Sequence, residues 1–156
     1  MDESEARRYA GMLGRMAELE AAISAFYRAC AGRCQDPGFW TGLSADEDRH
    51  AAYLREMAGI VLERQGKGFS PGRPFTADAV AKFIGYVGER TREVADGRMD
   101  GKMIASLANA IEKRLFADRY DEVLKTVDER YTALMAAIMS DTATHVEATA
   151  RKMLSA

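Results

Sequence analysis

Apolar residues recur at three- and four-residue steps along most of the chain, the period of helices that bury one face. Met12, Met16, Leu19, Ile23, Phe26, Tyr27 and Cys30 form one such stripe and predict a helix from about Glu5 to Ala31. Gly32 to Gly38, which includes Pro37, reads as the break that ends it. Trp40, Leu43, Leu54, Met57 and Val61 predict a second helix, about Phe39 to Arg64. Two long helices joined by so short a segment make an antiparallel hairpin.

Gln65 to Phe75 holds three glycines and two prolines, Pro71 and Pro74, and reads as a loop. Thr76 is a candidate N-cap for a shorter helix, about Ala77 to Ala95. Asp96-Gly97 and Asp100-Gly101 interrupt the pattern again. A third long helix is predicted from about Lys102 to Val127, with Ile104, Leu107, Ala108, Ile111, Leu115, Tyr120 and Val123 inward. A fourth is predicted from about Asp128 to Leu154, on Tyr131, Met135, Ile138, Val146 and Met153. The predicted class is all-α. Two helical hairpins joined by one long crossover, residues 65–101 with its own helix, have the connectivity of a ferritin-like four-helix bundle.

Composition narrows the field. A chain of 156 residues suits one domain, 1–156, with one core. The net charge is −2 and no long basic run occurs, so there is no electrostatic footprint for nucleic acid. No window is long and apolar enough for a membrane span, and the acidic start, Met1 to Glu5, is unlike a signal peptide. A soluble cytoplasmic protein is the expectation. Cys30 and Cys34 stand four residues apart and read as reduced, partly buried thiols, with a redox pair or an accessory ligand as the other reading. No Cys-x-x-Cys occurs, which excludes a rubredoxin-type iron centre and a zinc ribbon.

The informative residues are polar ones on apolar stripes. On the second helix, Glu47 and His50 fall in line with Trp40, Leu43, Leu54 and Met57, as a Glu-x-x-His pair. On the first, Glu20 lies in the stripe; on the fourth, His145 lies between Ile138 and Thr149. On the third, Glu112 sits at the stripe's edge, one turn from Ala108 and Phe116. A lone Glu-x-x-His is usually a solvated face, and a lone buried histidine is usually a hydrogen-bonded core residue. Here the chain has only two histidines, each on the second helix of its hairpin, 30 and 33 residues after a glutamate on the first. Several carboxylates in one low-dielectric core are tolerable only if protonated, hydrogen-bonded or neutralised by cations.

These residues make the chain resemble the rubrerythrin branch of the ferritin-like superfamily. The resemblance rests on Glu20 with Tyr27 seven residues later, Glu47-Asp-Arg-His50, Glu112 and His145, and covers the whole chain in helix order. It implies a non-haem di-iron site, oxidase or peroxidase chemistry on O2 or peroxide, an external electron donor and a homodimer. It implies Glu20 and His50 as terminal ligands of one ion, Glu47 as the bridge, and Glu112 and His145 on the other ion. Manganese and zinc fit the same oxygen and imidazole donors. The pattern departs at Thr142, where a second Glu-x-x-His would place its carboxylate, and Asp141 beside it is a candidate replacement. It departs again at Arg119, where the third helix would repeat Tyr27. Glu20, Glu47 and Glu112 bring three negative charges against the four of two divalent ions, so one ion on Glu20, Glu47 and His50 is an open alternative. A non-catalytic binding protein on a degenerate site is the rival function.

Overall fold

A computed structural model describes residues 1–156 as five α-helices and one two-stranded sheet. The helices are α1 (Glu3–Ala31), α2 (Pro37–Glu63), α3 (Ala77–Ala95), α4 (Gly101–Asp118) and α5 (Glu129–Ser155). The strands are β1 (Phe69–Pro71) and β2 (Leu124–Thr126).

Each helix starts on a capping side chain. Asp2 accepts from the Glu5 amide while the Glu5 carboxylate accepts from the Asp2 amide, a capping box that starts α1 ahead of the predicted Glu5. Thr76 caps α3 as its sequence predicts, and Asp100 and Asp128 cap α4 and α5. Pro37 and Gly38, expected in the break, instead form the first turn of α2, with Asp36 as N-cap. Proline suits that place because its fixed φ matches the helix and its missing N–H would have no partner there.

Helices α1, α2, α4 and α5 pack about one core, and cross-contacts fix their directions. Arg130 meets Glu56, Asp141 meets His50, His145 meets Asp46, and Lys152 meets Asp36, so α5 runs antiparallel to α2. On α4, Glu112 reaches His145 and Asn109 reaches Thr149, so that pair is antiparallel too. α2 and α4 are therefore parallel, and a parallel pair needs a connection that travels the length of the bundle. α3 supplies it. The α1 amino terminus bonds the Phe69 carbonyl at one end, and Arg33 bonds the Ala95 carbonyl at the other. Phe83 of α3 lies under the Arg114 guanidinium of α4, 4.1 Å from ring centroid to charge.

The third long helix is the main correction. It was expected to reach Val127 and ends at Asp118. Arg119 takes a left-handed conformation, φ 52°, and a 3-10 turn carries Tyr120 to Glu122. β2 then pairs antiparallel with β1, Phe69 opposite Thr126 and Pro71 opposite Leu124. The residues read as one helical stripe are still buried, since Tyr120 and Val123 are inside. Burial is satisfied by the strand pair, which also gives the backbone of the crossover its hydrogen bonds. Gly72 permits the close approach: a Cβ there would overlap the Glu122 carbonyl, with which the Arg73 amide pairs at 2.6 Å. No helix is long and apolar enough to cross a membrane.

Candidate metal centre

Glu20, Glu47, His50, Glu112 and His145 converge in the middle of the core, each 3% exposed or less. Glu112, expected at the edge of its stripe, is fully enclosed, while Phe116 is the residue left at the surface. Ligand atoms of Glu20, Glu47 and His50 lie within 4.8 Å of one another, and so do those of Glu47, Glu112 and His145. Glu47 belongs to both triads. One triad draws on α1 and α2, the other on α2, α4 and α5, so the site exists only when the two hairpins are docked.

Glu47 Oε2 is 3.2 Å from His50 Nδ1, and its Oε1 is 2.9 Å from His145 Nδ1. The second contact is off the line that a hydrogen bond needs, and both atoms are left without a partner. Glu20 Oε2 and Glu112 Oε2 are likewise buried and unpartnered. Four ligand-type atoms in this condition cost free energy in an empty core and match the donor set of a divalent cation. Oxygen and imidazole donors fit iron, manganese or zinc.

The outer face of each imidazole is held from the opposite helix. His145 Nε2 is 3.0 Å from Asp46 on α2, and His50 Nε2 is 3.1 Å from Asp141 on α5. Arg49 joins the two aspartates, 2.8 Å from Asp46 and 3.0 Å from Asp141. Once the rings are neutral, each carboxylate draws the remaining ring proton to Nε2 and turns the Nδ1 lone pair inward. Asp141 does not swing in to replace the carboxylate missing at position 142. The Thr142 hydroxyl donates to the Ile138 carbonyl of its own helix at 2.9 Å and offers nothing to the centre.

Burial and then the neighbouring Glu47 charge hold Glu20 well above the carboxylate range. Burial pushes Glu47 up as well, but its contacts with Glu20, His145 and His50 outweigh burial and hold it well below the carboxylate range. Burial disfavours a charged His145, yet Glu112 and Glu47 raise it to about 11. His50 is raised through Glu47 and Asp141 against its own burial. Burial, then the Glu47 charge, raises Glu112.

Two tyrosines flank the carboxylates. Tyr27 of α1 donates its hydroxyl to Glu112 of α4. Tyr120, just past α4, is buried with its hydroxyl unpartnered, and burial foremost raises it well above its ordinary value. The left-handed turn at Arg119 brings Tyr120 into the core, but its hydroxyl, unlike that of Tyr27, bonds no carboxylate. Sequence reasoning also missed Asp46 and Arg49. Their signal was present in the run Asp46-Glu47-Asp48-Arg49-His50, but a charged run on a helix ordinarily reads as its wet face.

No family model matches the chain, and neither a curated protein nor a solved structure matches it. The site's own geometry therefore carries the functional argument.

Proposed function

We propose that this chain is a rubrerythrin-like metal protein of the ferritin-like superfamily, holding two divalent ions, iron foremost, and reducing O2 or peroxide at them. The observation that carries the reading is Glu47, one carboxylate shared by two buried triads, with Oε1 and Oε2 facing different histidines. Glu20 and His50 would hold one ion, Glu112 and His145 the other, and Glu47 would bridge. The antiparallel hairpins and the length-spanning crossover agree with that superfamily's connectivity.

A redox-active ion pair would supply electrons to an O–O bond; the rest of the chemistry belongs to the chain. The core excludes water from the site and strengthens each charge interaction in it. Asp46 and Asp141 keep both Nδ1 lone pairs aimed inward. Tyr27 orients Glu112 through its hydrogen bond, and burial with the Glu112 and Glu47 charges holds the proton on its hydroxyl. Glu47, held low, would supply the negative charge that draws a cation in, and Glu20 and the histidines would give up protons on ligating it.

Thr142 favours a second reading, a single ion on Glu20, Glu47 and His50 in a binding protein without turnover. Peroxide consumption by iron-loaded protein separates the two. The first reading expects turnover that disappears in Glu47→Ala. Metal-free protein from iron-replete cells would contradict it.

A further inference from the structure

Cys30 and Cys34 are not used by the centre just described, and three observations tie them to it. The first is their mutual placement. The Cys34 amide donates to the Cys30 carbonyl at 2.9 Å, closing one more helix-like turn beyond the end of α1. Four residues of such a turn rise about 6 Å, inside the Cα separation of about 4.4–6.8 Å that a disulfide spans. The Cβ atoms, about 5–6 Å apart at this spacing, close to about 3.5–4.5 Å by a local shift of the turn beyond α1. Both thiols are free, Cys30 fully buried and Cys34 half-buried.

The second is access. Cys34 lines an open cavity of about 730 Å³ at one end of the bundle, together with Arg33, Trp40, Lys102 and Lys152. Trp40 is buried, and its indole N–H makes no hydrogen bond of good geometry. Burial pushes the Cys34 thiol up, while the Lys152 ammonium and the Trp40 N–H pull it back by favouring the thiolate. Cys30 has no such opening, so the pair has one reachable sulfur and one enclosed one.

The third is continuity inward. Trp40 packs against Tyr27 with ring centroids 6.0 Å apart, and Cys30 lies one turn from Tyr27 on the same face of α1. Tyr27 in turn bonds Glu112 of the centre. The end cavity thus reaches Cys34 and Trp40, Trp40 packs on Tyr27, and Tyr27 bonds a carboxylate of the site.

We infer that Cys30 and Cys34 are a dithiol–disulfide pair that stores the two electrons spent at the core site and is recharged from the end cavity by a small external thiol. This rests on the redox reading above. Two S–H bonds break and one S–S bond forms. The two electrons cleave the O–O bond of a peroxide, and its oxygens leave as two waters with the two thiol protons. Recharging begins at the reachable sulfur. An external thiol attacks Cys34 and passes its proton to Cys30, which leaves as the thiol that burial favours; a second external thiol completes the exchange, its proton goes to Cys34, and the two external sulfurs leave as the oxidised dimer.

The test uses the full chain, loaded with iron, as wild type, Cys34→Ser and Glu47→Gln. Metal content is measured first. One equivalent of hydrogen peroxide is added, and thiols are counted by alkylation and mass spectrometry, then counted again after reduced glutathione. The wild type is expected to gain one Cys30–Cys34 disulfide that glutathione reverses. Cys34→Ser is expected to bind iron as the wild type does and form no intramolecular disulfide. Glu47→Gln is expected to lose metal and form the disulfide at least tenfold more slowly. Equal disulfide rates in Glu47→Gln and wild type would overturn the link to the core site. Iron-loaded wild type whose thiols stay reduced would overturn the dithiol role alone. Failure of the wild type to bind iron would overturn the redox reading and this inference with it.

Discussion

His145 Nε2 lies 3.0 Å from the carboxylate of Asp46, on the helix facing its own, and His50 repeats the arrangement with Asp141 at 3.1 Å. Each aspartate immediately precedes a site position, Glu47 or Thr142, so one helical step separates the inward ligand from the outward brace. Arg49 neutralises both braces at once. An imidazole held this way cannot turn its lone pair away from the centre. Asp141→Ala should therefore lower affinity for iron or zinc roughly 10- to 100-fold while leaving the helical content intact. Competition against a chromogenic chelator reads this directly; unchanged affinity would show that the ring needs no brace.

Metal binding should release protons. Despite burial, contacts with Glu112 and Glu47 raise His145 to about 11, and burial and the Glu47 charge raise Glu20. His145 carries a proton at neutral pH that it must lose to ligate, and the raised Glu20 adds in the same direction. Affinity should therefore climb with pH up to about 11. Titration calorimetry in buffers of different ionisation enthalpy should return at least one proton released per ion. For the metal-free protein the sign is opposite. A raised histidine stabilises the fold fully below its unfolded value, about 6.5, and this contribution is lost as pH rises through about 11. Metal-free protein should therefore lose stability on the alkaline side, and saturating metal should restore it.

Position 142 is the weak point of the second half-site. Thr142 is buried beside His145 and spends its hydroxyl on its own helix. Thr142→Glu adds the fourth carboxylate and balances the charge of two divalent ions. The second ion should then be held more tightly, by roughly an order of magnitude, and survive a desalting step that strips it from the wild type. The same substitution should destabilise the metal-free form, because it adds an uncompensated buried acid.

The strand pair also makes a prediction. Gly72→Ala places a methyl group against the Glu122 carbonyl and should cost about 1–3 kcal/mol, read by urea unfolding. Amide exchange should quicken at Arg73, whose N–H bonds that carbonyl.

The four long helices and their crossover were legible because each has a strong period and a capping residue, with Thr76 the clearest case. The end of α4 was not. Tyr120 and Val123 fall at helical spacing, and only the long-range pairing of β2 with β1 decides that they leave the helix. Within the site, Glu47 and His50 were readable from their neighbours on one stripe. Glu112 looked peripheral because its exposure depends on α1 and α5, which the local pattern of α4 does not contain. Asp46, Arg49 and the bracing role of Asp141 were illegible for the same reason: their partners stand on another helix, 91 to 99 residues away for the links across α2 and α5.

The central claim is that the five buried residues hold metal. Elemental analysis of tag-free protein purified from iron-replete cells tests it most directly, alongside Glu47→Gln prepared identically. Two ions per wild-type chain, or one before supplementation and two after, with loss in the variant, is the predicted result. Wild-type protein that carries no transition metal, takes up none on supplementation, and unfolds at the same temperature with and without a chelator would contradict it.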